Sequence, residues 1–313
     1  MPQLPPVLII AGPTASGKST LALAAALQFN GEVINADSMQ VYRELSVLTA
    51  RPTADDEAQV PHHLYGVLSG GDVCSAGRWL EMVVRTINEV HGRGKIPILC
   101  GGTGLYLKVL REGISPVPDV SSTISEETEA LYLKLGGIAF LEKLMELDPI
   151  SADKLNPSDR QRLVRAYGVV TATGRTLPQW HKDQSHTPPL NADFFTLHLL
   201  PDRAQLYANI ERRFDEMIEG GGFDEVKKLQ ELNLSPSIPI MKALGVPEML
   251  AYVSGTMNMD AAIDCSKQAT RNLAKRQMTW FRNQGKPDLI LTDFGPNALK
   301  IWISAISKFL SSK

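Results

Sequence analysis

Residues 7–10, Val-Leu-Ile-Ile, form an unbroken apolar run bounded by Pro6 and Gly12, with no polar alternation, which predicts a strand buried on both faces. The stretch "KSTLALAAALQF" that follows is rich in Ala and Leu and predicts a helix. "GEVINAD" (31–37) predicts a second strand ending in Asp37, and "GKIPILCGGTG" (94–104) a third, preceded by a helix from about residue 76 to 91. Strands alternating with helices predict a parallel α/β sheet whose ligand site lies at the carboxyl ends of the strands. The Gly-rich loop after the first strand, Asp37 and Thr103 all fall at such ends.

The pattern changes at Pro116, where "SPVPDV" is a turn-rich entry to a mainly helical stretch running through Gly174, with "HTPPLN" (186–191) as its exit. Residues 117–192 therefore read as a helical insertion into a core formed by 1–116 and 193–313. "FFTLHLL" (194–200) predicts a strand returning to the sheet, followed by helices near 202–219, 222–233 and 260–283. "DLILTDF" (288–294) predicts a last strand before a terminal helix.

Composition narrows the class. The 313 residues are 43% apolar and 21% charged, enough for a substantial core and far from a disordered chain. A formal net charge of −2 gives no global sign of a nucleic-acid partner, so any such partner must meet a local patch. Cys74, Cys100 and Cys265 lie far apart without a C-x-x-C pair, which argues against a zinc knuckle or disulfide framework and reads as small buried apolar residues in a reducing compartment. The start "MPQLPPVLII" has no basic leader, and no run reaches the roughly 18 apolar residues of a membrane span. A cytoplasmic protein without a membrane partner is expected.

Gly12-Pro13-Thr14-Ala15-Ser16-Gly17-Lys18-Ser19 matches G-x-x-x-x-G-K-[ST] between a strand and a helix. Its glycines let backbone N–H groups converge on phosphate oxygens, Lys18 adds a point charge, and the Ser19 hydroxyl can sit on Mg²⁺. Enzymes that hydrolyse or transfer phosphates from such a loop carry a further metal-holding acid at a strand end. The strand "IPILC" ends instead in Gly101-Gly102-Thr103, leaving Asp37 as the acid at a predicted strand end. Metal ligand, general base and plain helix N-cap all remain open for Asp37.

In "RAQLYANIERRFDEMI" (203–218), Leu206, Ile210, Phe214, Met217 and Ile218 form an apolar stripe with Arg213 beside it and Arg212 turned away. An inward guanidinium needs a charged partner, either a buried carboxylate or the phosphates of the loop. From Ser266 to Lys286 there is no acid, and Lys267, Arg271, Lys275 and Arg282 share one helical face. Their arc of roughly 80° leaves Ala269, Leu273 and Trp280 opposite, so the back faces the core and the front faces either solvent or an anion. A second cluster, Arg160, Arg162 and Arg165, lies in the insertion, and two separated patches point toward RNA.

These motifs, in this order, resemble the tRNA dimethylallyltransferases, or tRNA isopentenyltransferases: "GPTASGKS", "NADSMQVYR", "PHHL", "GGTGLY", "RQRLVRA" and "LAKRQMTWFR". The resemblance implies a P-loop NTPase-like fold whose loop holds the pyrophosphate of dimethylallyl diphosphate. It implies Mg²⁺ as cofactor and transfer of the prenyl group to N6 of an adenosine just 3′ of the anticodon, flipped into a channel between two domains. Asp37 then resembles the family's general base and Thr103 a residue hydrogen-bonding at the reaction centre; Lys18, Ser19, the loop amides and Arg213 would neutralise the leaving group. Ser38, Met39 and Gln40 would follow the base near the target adenine. Gln161, Arg162, Leu163, Val164 and Arg165, with Lys275, Arg276, Gln277, Trp280 and Arg282, match segments that line the anticodon stem-loop. A monomer is expected, and the absence of the carboxy-terminal zinc finger of eukaryotic relatives suggests a bacterial-type enzyme. The chain departs from the family pattern at Leu48 and Arg51 in "LTARP" and at Pro247 in "MKALGVPEM". An adenylate isopentenyltransferase, a small-molecule kinase and a non-catalytic RNA-binding module are the competing readings.

Overall fold

Val7–Ile10 lies in strand β1 (Pro6–Ala11), and each of the four residues is 0% exposed. The computed structural model describes residues 4–183, 188–293 and 295–312. After β1 come α1 (Lys18–Phe29), β2 (Gly31–Asn35), α2 (Ala54–Gln59), β3 (His62–His63), α3 (Ala76–Gly92), β4 (Ile96–Gly101) and α4 (Gly104–Glu112). Next are α5 (Ser122–Leu147), α6 (Pro149–Ala152), α7 (Arg160–Thr173) and α8 (Leu177–Lys182). The chain continues through β5 (Asp193–Leu199), α9 (Arg203–Met217), α10 (Phe223–Glu231), α11 (Val246–Val253), α12 (Met259–Asn283), β6 (Leu289–Leu291) and α13 (Pro296–Ser311). It divides into two compact units, one of Met1–Arg111 with Pro189–Lys313 and one of Glu112–Pro188.

All strands of the first unit pair in parallel, in the order β3-β2-β4-β1-β5-β6. Alternate residues of β1 serve opposite faces. Val7, Ile9 and Ala11 pack with Trp79, Val83 and Ile87 of α3, while Leu8 and Ile10 pack with Leu21 and Ala25 of α1 and with Trp302 and Ile306 of α13. Helices on both faces explain why the strand is apolar throughout. Because β2, β4 and β1 are neighbours, their carboxyl ends deliver Asp37, Thr103 and the Gly-rich loop side by side.

The second unit has its own small core, in which Phe140 and Leu144 of α5 meet Leu163 and Ala166 of α7, and Phe140 contacts the rings of Tyr132 and Tyr167 at 5.2 and 5.1 Å. Among the described residues no helix is long and apolar enough to cross a membrane.

Some elements go beyond the periodicity. α2 is polar on all sides and forms through its ends: Thr53 and Asp56 make a reciprocal capping box and Asp55, Asp56 and Glu57 crowd the first turn. β3 is two residues long, too short for a pattern, and α4 and α11 likewise escape it. The second strand stops at Asn35, two residues before its predicted end, and the helix predicted to 219 passes into a π-turn at Ile218–Gly222. Residues 186–187 of the predicted exit and Phe294 of the predicted last strand lie outside the described residues.

Candidate active site

The loop after β1 turns sharply, with Ala15 at φ 59° and Gly17 at φ 89°, before α1 begins. Gly17 supplies the left-handed backbone that starts the helix with its amides facing outward. The Lys18 ammonium folds over the loop, donating to the Pro13 carbonyl at 2.5 Å and to Ser16 Oγ at 3.5 Å. Burial pushes Lys18 down to about 8; Cys100 and Asp37 pull against that shift and Arg213 adds to it. Ala15 through Ser19 line a cleft of about 480 Å³ together with Arg51, Tyr65, Cys100 and Arg213. Burial pushes the Cys100 thiol up to about 11, so at neutral pH it is an uncharged wall of the cleft.

Asp37 sits on a turn tied down from both sides. The Asn35 side chain accepts from the Asp37 amide at 2.7 Å and donates to the carbonyls of Asp37 and Leu64 at 3.0 and 3.1 Å. Asp37 Oδ1 accepts from the Met39 amide at 2.9 Å, and no helix follows, so the N-cap reading of Asp37 gives way to a turn. Thr103 faces this turn: its hydroxyl accepts from the Ser38 amide at 3.0 Å and its amide donates to the Ala36 carbonyl at 3.2 Å. Asp37 is a charged neighbour of both Lys18 and Arg213.

Adjacent arginines on α9 part company. Both line the cleft, but Arg212 is exposed and pairs with Glu216 at 2.6 Å, whereas Arg213 is half-buried. No hydrogen bond or ion pair holds Arg213 among the described residues, so its guanidinium is available to an anion. Burial lowers its pKa, but a guanidinium remains charged at any physiological pH. α9 also grips the loop directly, through Asn209 Nδ2 donating to the Ala15 carbonyl at 3.4 Å.

The predicted RNA-facing residues are divided. Lys275, Arg276 and Arg282 on α12 are exposed, and Trp280 shares a shallow groove with Lys275 and Arg276. Gln277 is 9% exposed and its side chain points inward to the loop. On α7, Gln161, Arg162 and Arg165 are exposed and Val164 is half-buried, but Leu163 is 0% exposed in the core of its unit; its helix position turns it inward. Lys267 and Arg271, read as part of the anion-facing stripe, pair instead with acids of α9: Lys267 with Asp215 at 2.6 Å and Glu211 at 3.7 Å, and Arg271 with Glu211. Arg160 pairs with Glu129. Of the three cysteines only Cys100 is buried; Cys74 is half-buried and Cys265 exposed.

Among the described residues no group of three or more His, Cys, Asp or Glu converges as a metal site. The exposed Ser19 hydroxyl at the cleft nevertheless fits Mg²⁺, which takes one or two protein oxygens and fills its shell with phosphate oxygens and water.

Sequence reasoning overlooked Asn35, Asn209 and Glu225. Asn35 is a buried polar residue at the end of an apolar strand, a signal that was available. Glu225 of α10 accepts from the amides of Ser46, Val47 and Leu48 at 2.7, 2.9 and 3.1 Å and from the Ser46 hydroxyl at 2.8 Å. This fixes the loop that carries Arg51, whose Nη1 donates to the carbonyls of Tyr42 and Arg43. Leu48 is itself core, and Ala50, at φ 50°, makes the turn there. Pro247 sits in the first turn of α11, where its ring is well tolerated.

Comparison with known proteins gives the family. The chain is 47% identical over 292 residues to the tRNA dimethylallyltransferase of Rhodospirillum rubrum, covering 93% of this chain and 90% of that one. It is 48% identical over 279 residues to that of Paramagnetospirillum magneticum, covering 89% and 88%. Its fold is similar to a tRNA isopentenylpyrophosphate transferase from Bacillus halodurans (TM-score 0.68, 33% identity, 98% and 95% covered). It is also similar to a eukaryotic dimethylallyltransferase acting on tRNA (TM-score 0.83, 28% identity, 99% and 80% covered). With a model of the IPP transferase family matching residues 40–284, from the turn after Asp37 to the end of α12, the chain belongs to that family.

Proposed function

We propose that the chain transfers the dimethylallyl group of dimethylallyl diphosphate to N6 of the adenosine 3′ of a tRNA anticodon, releasing pyrophosphate. The observation that carries this reading is that Lys18 and Arg213 line one cleft at the phosphate loop, with the Asp37 carboxylate, on the turn after β2, within electrostatic reach of both. Two cations suit a leaving diphosphate, and one carboxylate suits the proton released by the nucleophile.

An adenine amino group is a weak nucleophile, so the allylic carbon must carry positive character while charge builds on the diphosphate. The N6–carbon bond forms as the carbon–oxygen bond breaks, and the electron pair of that bond leaves on pyrophosphate. Lys18, Arg213 and the loop amides neutralise it. Ser19 would hold Mg²⁺ together with diphosphate oxygens, and the ion supplies further neutralisation of the leaving group when bound. N6 becomes acidic as it is alkylated, and Asp37 accepts its proton. Thr103, held by the Ser38 amide, fixes the adenine-side turn against the diphosphate side. Arg162, Arg165, Lys275, Arg276 and Arg282 hold the RNA, and Trp280 offers a ring face for stacking. The reaction takes place in the cytoplasm, on tRNA rather than a free nucleotide.

Labelled dimethylallyl diphosphate offered to a tRNA with adenosine 3′ of the anticodon, to the same tRNA with guanosine there, and to free AMP tests this. Label in the first alone is expected. Label on AMP would make the chain a nucleotide prenyltransferase, and no label with Mg²⁺ present would reopen the kinase reading.

A further inference from the structure

Gln277 projects from α12 into the base of the phosphate loop. Its Oε1 accepts from the Thr14 amide at 2.8 Å and its Nε2 donates to the Gly102 carbonyl at 2.9 Å. The two partners fix the orientation of the amide, because a peptide N–H must donate and a carbonyl must accept. Gln can do both at this reach, whereas an ionised Glu has no donor and Lys no acceptor. The fit is tight: a Cβ on Gly102 would lie 2.4 Å from Gln277 Nε2 and 3.1 Å from the Gly12 carbonyl, so only glycine permits this approach.

The joined positions belong to different parts of the reaction. Thr14 precedes Ala15, where the lining of the cleft begins, and Gly102 precedes Thr103. Gln277 lies between Arg276 and Trp280 in sequence, and both of those line the outer groove of α12. The helix is seated firmly. Ala274 and Met278 pack on Leu206 and Ile210 of α9, and Lys267 and Arg271 bridge the same two helices.

We propose that Gln277 is a positioning residue for the diphosphate, not an RNA contact. It turns the Thr14 amide away from the cleft and holds the loop at a set distance from the strand end that carries Thr103. RNA seated on the outer face of α12 and diphosphate seated in the loop are thereby referred to one side chain. The proposal rests on the prenyl-transfer reading for the identity of both ligands and on the two hydrogen bonds of Gln277 for its positioning role.

The test uses inorganic pyrophosphate with Mg²⁺ and, separately, an anticodon stem-loop RNA, each titrated calorimetrically into the full chain and into Gln277→Met, Gln277→Glu and Lys275→Ala. Met keeps the volume without the amide, and Glu keeps the acceptor without the donor. Gln277→Met and Gln277→Glu are expected to weaken pyrophosphate about tenfold, as the loss of a buried hydrogen-bond pair would. Both should bind the stem-loop within twofold of the wild type, and Lys275→Ala should show the reverse pattern. Faster hydrogen exchange at the Thr14 amide in Gln277→Met, with α13 unchanged, would separate loop positioning from general loosening. Loss of RNA affinity with pyrophosphate binding intact would overturn the proposal, and so would unchanged pyrophosphate binding in Gln277→Met. Pyrophosphate binding involves no acceptor, so failure of wild-type transfer to tRNA would sink the functional reading while leaving this result standing.

Discussion

The Ser38 amide donates a 3.0 Å hydrogen bond to the Thr103 hydroxyl, joining the turn after β2 to the turn after β4 across 65 residues of sequence. With the Thr103 amide donating to the Ala36 carbonyl, it ties the carboxylate-bearing turn to the strand end that meets the phosphate loop. Thr103→Ser keeps the acceptor and is expected to retain most activity. Thr103→Val, of the same shape but without the hydroxyl, should lower kcat by about 100-fold or more, the scale of losing one preorganised polar group at a reaction centre. Single-turnover transfer rates with saturating tRNA check this.

Arg212 and Arg213 make a paired test of helix phase. Arg213→Ala removes a half-buried cation from the cleft and should reduce kcat/KM for the diphosphate substrate by about 100- to 1,000-fold. Arg212→Ala breaks an exposed i,i+4 pair with Glu216, worth a few tenths of a kcal/mol, and should change turnover by less than about threefold. Steady-state kinetics on the two variants at matched thermal stability decide the assignment, and the opposite ranking would contradict it.

Lys18 gives the pH dependence its sign. Its pKa is pushed down from 10.5 to about 8 by burial, so the charged form that attracts diphosphate dominates well below pH 8, is half lost at about 8 and disappears above it. The value of kcat/KM for dimethylallyl diphosphate should be level well below pH 8, bend at about 8, and then fall toward tenfold per pH unit. A bound diphosphate favours the protonated amine, so kcat should hold to higher pH than kcat/KM. Unfolding through Lys18 does not explain the loss. A lysine whose folded pKa is lowered destabilises while charged, and that penalty is relieved between pH 8 and 10.5. A kcat/KM profile flat to pH 10 would exclude Lys18 as the titrating group.

Glu225 is a stability element with a functional address. Its carboxylate accepts four hydrogen bonds from Ser46, Val47 and Leu48, which hold the loop bearing Arg51. Glu225→Ala leaves three amides to find other partners and is expected to cost about 3 kcal/mol, read from the denaturant midpoint. Glu225→Gln retains one acceptor oxygen and should cost less. Equal stability of the Ala variant and the wild type would show that the loop is held by something else.

What could be read from the sequence followed the range of the physics involved. The buried strand, the phosphate loop and Asp37 are local: each is specified by a contiguous pattern and falls at a strand end. Arg213 could be read because helical phase alone separates it from Arg212. The partners of Lys267 and Arg271 could not, because Glu211 and Asp215 sit on another helix and only tertiary packing brings them together. The same holds for Gln277, a polar residue in a polar run whose burial depends on how α12 meets the loop. Leu163 shows the opposite lesson: matched to a motif as an RNA contact, it is a core residue by its apolar character and helical position.

The central claim is that the phosphates held by the loop are expelled and not passed to the acceptor. Dimethylallyl diphosphate labelled with carbon-14 in the prenyl group and phosphorus-32 in the diphosphate should be incubated with the chain, Mg²⁺ and unmodified tRNA, and both labels counted. Carbon-14 in the tRNA, matched one for one by phosphorus-32 in free pyrophosphate, is the result predicted. Phosphorus-32 in the tRNA, or pyrophosphate released without carbon-14 transfer, would contradict it.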